Sequence, residues 1–244
     1  MTSSFSFIIP TKQEGNFIER TLHSLRAGSN AAGLEVEIIV VDGGSSDGTA
    51  EKAGKLADVV LTGIPLAATS IAHARNIGAD AASGEFLFHT DADVLFPDLE
   101  QLLQTAAVKF RSPDVVAAMA PVMPYPWESS RRDYLIHRLA NAFFRSSLSY
   151  GALFSRGECQ IVRRSAFETI GGYTGMYISG EDCDLFRRLN RMGRIAYLSD
   201  SCVWHSPRRF HQSGYLRTFG VYLREWIWMN AFRRSFIREW PVVR

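Results

Sequence analysis

An α/β fold with a mostly parallel central sheet and helices on both faces is the architecture this sequence predicts, and three observations predict it. Short apolar runs alternate with helix-period segments through the first half, joined by short links. The runs at 5–9, 36–41 and 59–61 are largely unbroken by polar residues, as strands covered on both faces should be. Polar, turn-rich steps follow the runs at 5–9, 36–41 and 85–89, and open α/β sheets gather ligands outside the carboxyl ends of their strands.

Taken in order, the run at 5–9 is stopped by Pro10. Residues 16–26 place Phe17, Ile18, Leu22 and Leu25 at helical spacing. The run at 36–41 leads into the turn-rich Asp42-Gly43-Gly44-Ser45-Ser46-Asp47-Gly48. A helix is predicted over 49–57, a short strand over 59–61 and another helix over 70–82. Gly84 then punctuates before the aromatic run 85–89, which Thr90-Asp91-Ala92-Asp93 breaks. The second half is less regular. It holds a strand within 113–123, an irregular connection forced by Pro121, Pro124 and Pro126, and a helix over 129–148 suited to the floor or rim of a cleft. A strand over 158–162 and a short helix to Ile170 follow, stopped by Gly171-Gly172. Across 214–236, Tyr215, Phe219, Tyr222, Trp226 and Met229 are predicted to share one helical face, with Leu216, Leu223 and Ile227 beside them. Arg217, Arg224, Arg233 and Arg234 fall mainly elsewhere. No repeat, low-complexity tract or linker divides the chain. The expected organisation is one domain over 1–205 and a helical tail over 206–244 packed on or next to it.

The 244 residues, 46% hydrophobic and 21% charged, suffice for one well-buried domain. No apolar stretch approaches the roughly 20 residues of a spanning helix, and the N-terminus has no basic, apolar leader pattern. Cys159, Cys183 and Cys202 are odd in number and widely spaced, which fits a reduced, cytoplasmic setting. Net charge is only +2, yet residues 205–244 carry eight Arg against two Glu. A basic, aromatic tail suits an anionic surface, so peripheral contact with the inner membrane surface through 213–238 is one expectation. Solvated arginines over packed aromatics are the other. No nucleic-acid partner is expected.

Asp91 and Asp93, one residue apart at a strand end, offer hard oxygens to Mg²⁺ or Mn²⁺, the kind of ion that holds a diphosphate. A simple turn would use the same residues. Pro10-Thr11-Lys12-Gln13-Glu14 and Asp42 with its glycines should share one rim with them, because neighbouring parallel strands end side by side. Arg75, in His73-Ala74-Arg75-Asn76-Ile77-Gly78, has a guanidinium fork suited to a phosphate or to an ion pair. Ser179 followed by Asp182 resembles a capping box. The same Asp182, at a rigid helix start, also suits a general base. His205 follows another short apolar run, and its imidazole can pack or complete a cation site.

Together these motifs resemble the family 2 glycosyltransferases of the GT-A fold. The resemblance runs from Phe7-Ile8-Ile9-Pro10-Thr11 through Val41-Asp42-Gly43-Gly44-Ser45-Ser46-Asp47-Gly48-Thr49, Ala74-Arg75-Asn76-Ile77-Gly78 and Asp91-Ala92-Asp93 to Gly171-Gly172-Tyr173 and Gly180-Glu181-Asp182. It implies a nucleotide-diphospho-sugar transferase that inverts the anomeric carbon. It further implies that Pro10, Thr11, Glu14 and Asp42 contact the nucleoside, that Asp91 and Asp93 serve ribose and metal, that Asp182 is the base, and that His205 is the candidate metal histidine. Lys12-Gln13 and Gly43 depart from the family's frequent Tyr-Asn and second Asp, which bears on the nucleotide contacts.

The expectation is therefore a metal-dependent inverting glycosyltransferase taking a UDP- or GDP-linked sugar to a hydroxyl on a lipid-linked sugar, a polysaccharide or a small metabolite. Residues 123–157 and the tail would bound the acceptor. The rivals are a sugar-phosphate nucleotidyltransferase, for which the loop after the first strand is a poor phosphate cradle, and a non-catalytic protein that binds anionic surfaces through its tail.

Overall fold

The computed structural model describes residues 4–32, 34–64, 70–149 and 154–237; the parts of the expected acceptor stretch at 150–153 and of the tail at 238–244 lie outside them. The first half contains β1 (Phe5–Thr11), α1 (Ile18–Ala32), β2 (Val36–Asp42), α2 (Thr49–Ala53), β3 (Val59–Leu61), α3 (Ile71–Ala81), β4 (Phe86–His89), β5 (Val94–Leu95) and α4 (Leu99–Phe110). Then come β6 (Val115–Met119), β7 (Val122–Pro124), α5 (Arg131–Ser149), β8 (Gln160–Arg163), α6 (Arg164–Thr169) and α7 (Glu181–Leu189). The chain continues through β9 (Arg194–Tyr197), β10 (Val203–His205), α8 (Arg208–Ser213) and α9 (Tyr215–Phe232).

Among the described residues, seven strands form the main sheet in the order β3-β2-β1-β4-β8-β6-β9. It is mostly parallel, but β8 runs antiparallel to both β4 and β6. Alternation along β1 divides the core in two, as the two-residue period of a strand requires. Phe5, Phe7 and Ile9 pack with Ile18, Leu22 and Leu25 of α1 and with Leu99, Leu102 and Leu103 of α4. Ile8 points to the other layer, with Ala72 and Ala74 of α3 and Leu185, Phe186 and Leu189 of α7. A second, three-stranded sheet, β5-β10-β7, sits at the carboxyl edge of the first.

Four expectations change. Pro10 does not stop β1, which runs on to Thr11 against β2. Residues of one parity face one neighbour, and Ile8 faces β4, accepting the Thr90 N–H at 3.2 Å. Pairing with β4 ends at Ile8–His89, so the missing N–H of Pro10 removes no ladder bond. The helix expected over 49–57 ends at Ala53. The single strand expected in 113–123 is β6 and the start of β7, divided at Ala120-Pro121 between the two sheets. In α9 the buried face is Thr218, Glu225 and Met229, whereas Leu216, Leu223 and Ile227 are exposed. Among the described residues, no helix is long and apolar enough to cross a membrane.

The segment from Arg75 to Gly78 explains how α3 seats on the sheet. A Cβ at Gly78 would lie 2.5 Å from Ile8 Cγ2 and 3.1 Å from Val41 Cγ2. Asn76 meanwhile grips Tyr173, accepting its N–H at 2.9 Å and donating to its carbonyl at 2.8 Å. Gly78→Ala should therefore lower stability by about 1–3 kcal/mol, overpacking outweighing the better helix propensity. Urea unfolding measures this, and an unchanged midpoint would contradict so close an approach.

Candidate active site

Thr11 and Asp42 are partners in the β1–β2 register. The Thr11 hydroxyl donates to Asp42 Oδ1 at 3.0 Å. Asp42 Oδ2 accepts the N–H groups of Gly44 at 3.1 Å and Ser45 at 2.9 Å, so the buried carboxylate shapes its own glycine turn. The loop after β1 is fastened to that turn. Gln13 N–H donates to Ser45 Oγ at 2.8 Å, Glu14 N–H to Thr49 Oγ1 at 2.9 Å, and Gly15 N–H to Asp47 Oδ2 at 2.9 Å. These bonds hold Pro10, Thr11, Glu14 and Asp42 on one edge.

Arg75 joins a second pair of loops. Its two terminal nitrogens donate to Asp91 Oδ1 and Glu181 Oε1, each at 2.9 Å, and the side chain is 1% exposed. Arg75 is thus a bridge inside the wall, with its fork already engaged by carboxylates. The phosphate contact expected of it has no access in this arrangement.

Arg208, which sequence reasoning passed over, joins a third. One of its nitrogens lies 2.8 and 2.9 Å from the two oxygens of Glu14 and 3.3 Å from Asp93 Oδ2, with the guanidinium 4.3 Å from the Phe17 ring centre. Asp93 is pushed up to about 7, first by burial and then by Asp91, Glu14 and Glu158, with Arg208 opposing. Burial also raises Glu14 against the pull of Arg208. The Asp93 carbonyl accepts from Tyr125 Oη at 2.6 Å and Ser206 N–H at 3.3 Å, so the small sheet fixes its backbone.

His205 pairs with Val94 across β10 and β5, one residue from Asp93. Its Nδ1 lies 3.7 Å from Glu158 Oε1, and its Nε2 lies 3.4 Å from the Arg156 guanidinium, which also binds Glu158 at 2.7 Å. Burial, then Arg156, hold the imidazole well below its ordinary pKa, hence neutral. Glu158 resists burial because the Arg156 guanidinium beside it keeps it ionised.

Asp182 opens α7 without capping it. The N-cap is Gly180, with φ 82°, and it makes no side-chain cap bond. The capping box expected of Ser179 and Asp182 does not form. Ser179 instead gives its N–H to Ser235 Oγ at 3.2 Å, and Asp182 Oδ1 accepts the next N–H, of Cys183, at 2.7 Å. Burial raises the Asp182 carboxylate against the pull of Arg75, and Glu181 beside it is raised as well. The tail braces this corner. Ser235 Oγ also accepts the Ile178 N–H at 2.7 Å, while Glu225 accepts the N–H groups of Phe236 and Ile237 at 3.1 and 3.2 Å.

Among the described residues, no three His, Cys, Asp or Glu side chains are grouped so as to hold a metal ion alone. The donor chemistry nevertheless fits a divalent cation shared with a substrate. Mg²⁺-type sites use one or two carboxylates and fill the remaining positions with phosphate oxygens and water. Asp93 supplies a carboxylate in a rim where acidic groups outnumber guanidiniums, and neutral His205 stands one register step away.

Parallel strands whose carboxyl ends meet in this acidic rim, with one antiparallel strand crossing behind it, define a GT-A fold, the architecture of nucleotide-diphospho-sugar transferases. The family model described as "Glycosyl transferase family 2" matches residues 6–171, and the chain belongs to that family. Among curated relatives, the succinoglycan biosynthesis protein ExoA of Rhizobium meliloti is 28% identical over 208 residues, covering 82% of this chain and 62% of its own length. The pre-mycofactocin glycosyltransferase of Mycobacterium tuberculosis is 29% identical over 236 residues, covering 92% of this chain and 45% of its own. The chain thus spans less than two thirds of either relative. Mannosyltransferase PcManGT from Pyrobaculum calidifontis, solved with GDP-Man and Mn²⁺, superposes with TM-score 0.65 at 22% identity, covering 92% of this chain and 65% of that one. Glucosyl-3-phosphoglycerate synthase from M. tuberculosis, solved with Mn²⁺, UDP and glucosyl-3-phosphoglycerate, gives 0.63 at 20% identity, covering 97% and 81%.

Replacing Arg75 by Met would leave Asp91 and Glu181 facing a buried gap without their cation. The expected loss is about 3–5 kcal/mol. Chemical unfolding reads it directly, and a near-zero change would mean that the two carboxylates find solvent.

Proposed function

We propose that the chain is a metal-dependent, inverting glycosyltransferase that moves a sugar from a UDP- or GDP-linked donor to an acceptor hydroxyl. The observation that carries this reading is Asp182, a carboxylate free of the helix cap that feels Arg75 and Glu158, groups that bear in turn on Asp91 and Asp93. GDP-Man, named for PcManGT, and UDP, named for glucosyl-3-phosphoglycerate synthase, support a GDP- or UDP-linked donor at the acidic rim.

In this reading Pro10, Thr11, Glu14 and Asp42 receive the nucleoside, and Asp91, fixed from behind by Arg75, serves the ribose. A divalent cation, Mn²⁺ or Mg²⁺, bound by Asp93 with His205 would supply charge neutralisation for a departing diphosphate. Arg208 releases Glu14 and Asp93 to offer its fork to the same oxygens. Asp182 takes the acceptor's proton as that oxygen attacks the anomeric carbon opposite the diphosphate. The new C–O bond forms as the old one breaks, its electron pair leaving with the diphosphate. Residues 1–205 form the body of the catalytic unit, 206–244 pack beside it and lend Arg208 to the rim, and a cytoplasmic enzyme working beside a membrane fits a lipid-linked or polysaccharide acceptor.

Asp182→Asn should cut transfer by about 10²–10⁴-fold while the thermal shift given by donor plus Mn²⁺ persists. Loss of folding and donor binding together would sink the base assignment. Because the base works deprotonated and its pKa is raised by burial, kcat should fall as pH drops through a limb above the ordinary carboxylate value of about 4. Chelation with EDTA should abolish transfer and added Mn²⁺ should restore it. Full activity in EDTA would refute metal dependence.

A further inference from the structure

We propose that α5 and α9 together form one face that seats the chain on an anionic lipid surface, extending the contact expected of residues 213–238 to a second helix. On α5, Leu135, Leu139 and Phe143 stand at four-residue spacing, each more than half exposed. On α9, Leu216, Leu223 and Ile227 are likewise more than half exposed. Aromatic contacts make the two stripes continuous. The Phe143 ring lies 5.0 Å from that of Phe154, which stacks on Trp226 of α9 at 5.1 Å.

Charge complementarity names the occupant. The charged residues of α5 are Arg131, Arg132, Arg138 and Arg145, all exposed, and Asp133. Asp133 is buried, occupied by the Ser130 N–H and hydroxyl at 2.7 and 2.8 Å, with His211 Nε2 3.5 Å away. Those of α9 are exposed Arg217 and Arg224 and buried Glu225, whose oxygens receive the backbone at 236 and 237. Neither helix exposes an acid. Among the described residues, Arg131, Arg132, Arg138, Arg145 and Arg217 make no ion pair. Arg131 and Arg138 also line a shallow hollow of about 300 Å³ with Ser129, Ser130, Tyr134 and Leu135, at the end of the α5 stripe. Exposed leucines flanked only by arginine match an amphipathic surface that enters the headgroup boundary of an anionic bilayer. A protein partner would need a large acidic rim around an apolar centre, and a second copy would oppose arginine to arginine.

Sedimentation with vesicles of phosphatidylcholine, with and without phosphatidylglycerol, tests this without nucleotide, so its outcome is independent of the transfer reading. The full chain should bind the anionic vesicles, lose them as salt rises, and stay free of the neutral ones. The double variants Leu139→Glu/Phe143→Glu, Leu223→Glu/Ile227→Glu and Arg131→Glu/Arg138→Glu should each weaken binding about tenfold or more. Their melting temperatures and their thermal shift with donor plus Mn²⁺ should match the parent. Absence of binding, equal binding to neutral vesicles, or variants that bind as the parent does would overturn the proposal. So would a lipid-free dimer that the leucine and phenylalanine variants dissociate, which would assign the face to a second copy.

Discussion

A single buried guanidinium determines whether this rim exists. Arg75 leaves α3 and meets Asp91, from the loop after β4, and Glu181, from the start of α7, each at 2.9 Å. Those carboxylates belong to segments about ninety residues apart in sequence, and neither would tolerate burial unpaired. Removing one partner of a buried pair is far costlier than the net worth of the pair. The bridge therefore works as registration. It sets the carboxylate of Asp91 and the first turn that carries Asp182 at one relative position, which Gly78 allows by bringing α3 close to β1 and β2.

The opposite side of the rim is held differently. Arg208 is part-exposed and its contacts to Glu14 and Asp93 share one nitrogen, a geometry that is more easily exchanged than the two-armed hold of Arg75. Asp91, Asp93, Glu14 and Glu158 bear on one another there, and burial strengthens each repulsion. Such a cluster is poised for added positive charge. A rim fixed on one side by an inaccessible arginine and on the other by an exchangeable one can change its cation without losing its shape.

Much of this was legible in the sequence, for physical reasons. The strands that end at Thr11, Asp42 and His89 read as apolar runs, broken only by Ser6 and Glu37 near their starts, and polar residues follow at their carboxyl ends. Glu158 and Arg156 escaped notice because β8 is antiparallel. His89 pairs with Gln160, which brings the amino end of β8 to a rim otherwise made of carboxyl ends. Arg208 escaped because its partner Glu14 lies 194 positions away and no local pattern encodes that meeting. Asp182 could be read as cap or base, and Gly180 removes the cap: its left-handed backbone ends the approach to α7 without a side-chain cap, with Met229 sulfur 3.0 Å from where a Cβ would stand.

The rotation of α9 shows why an apolar pattern can mislead. Counting side chains favours burying Leu216, Leu223 and Ile227, yet they face outward and Glu225 faces in. Glu225 receives the N–H groups of Phe236 and Ile237, just beyond the left-handed Arg233 that ends the helix. That return places Ser235 against Ile178 and Ser179, two residues before the N-cap of α7. Turning the helix to hide its leucines would strand these backbone donors and move the brace from the Asp182 corner. Each buried leucine gains about 1.5–3 kcal/mol, whereas several unsatisfied polar groups cost about 1–3 kcal/mol apiece, more where charged. The two sums are close, so the polar anchors can set the rotation once an outward apolar stripe has somewhere else to go.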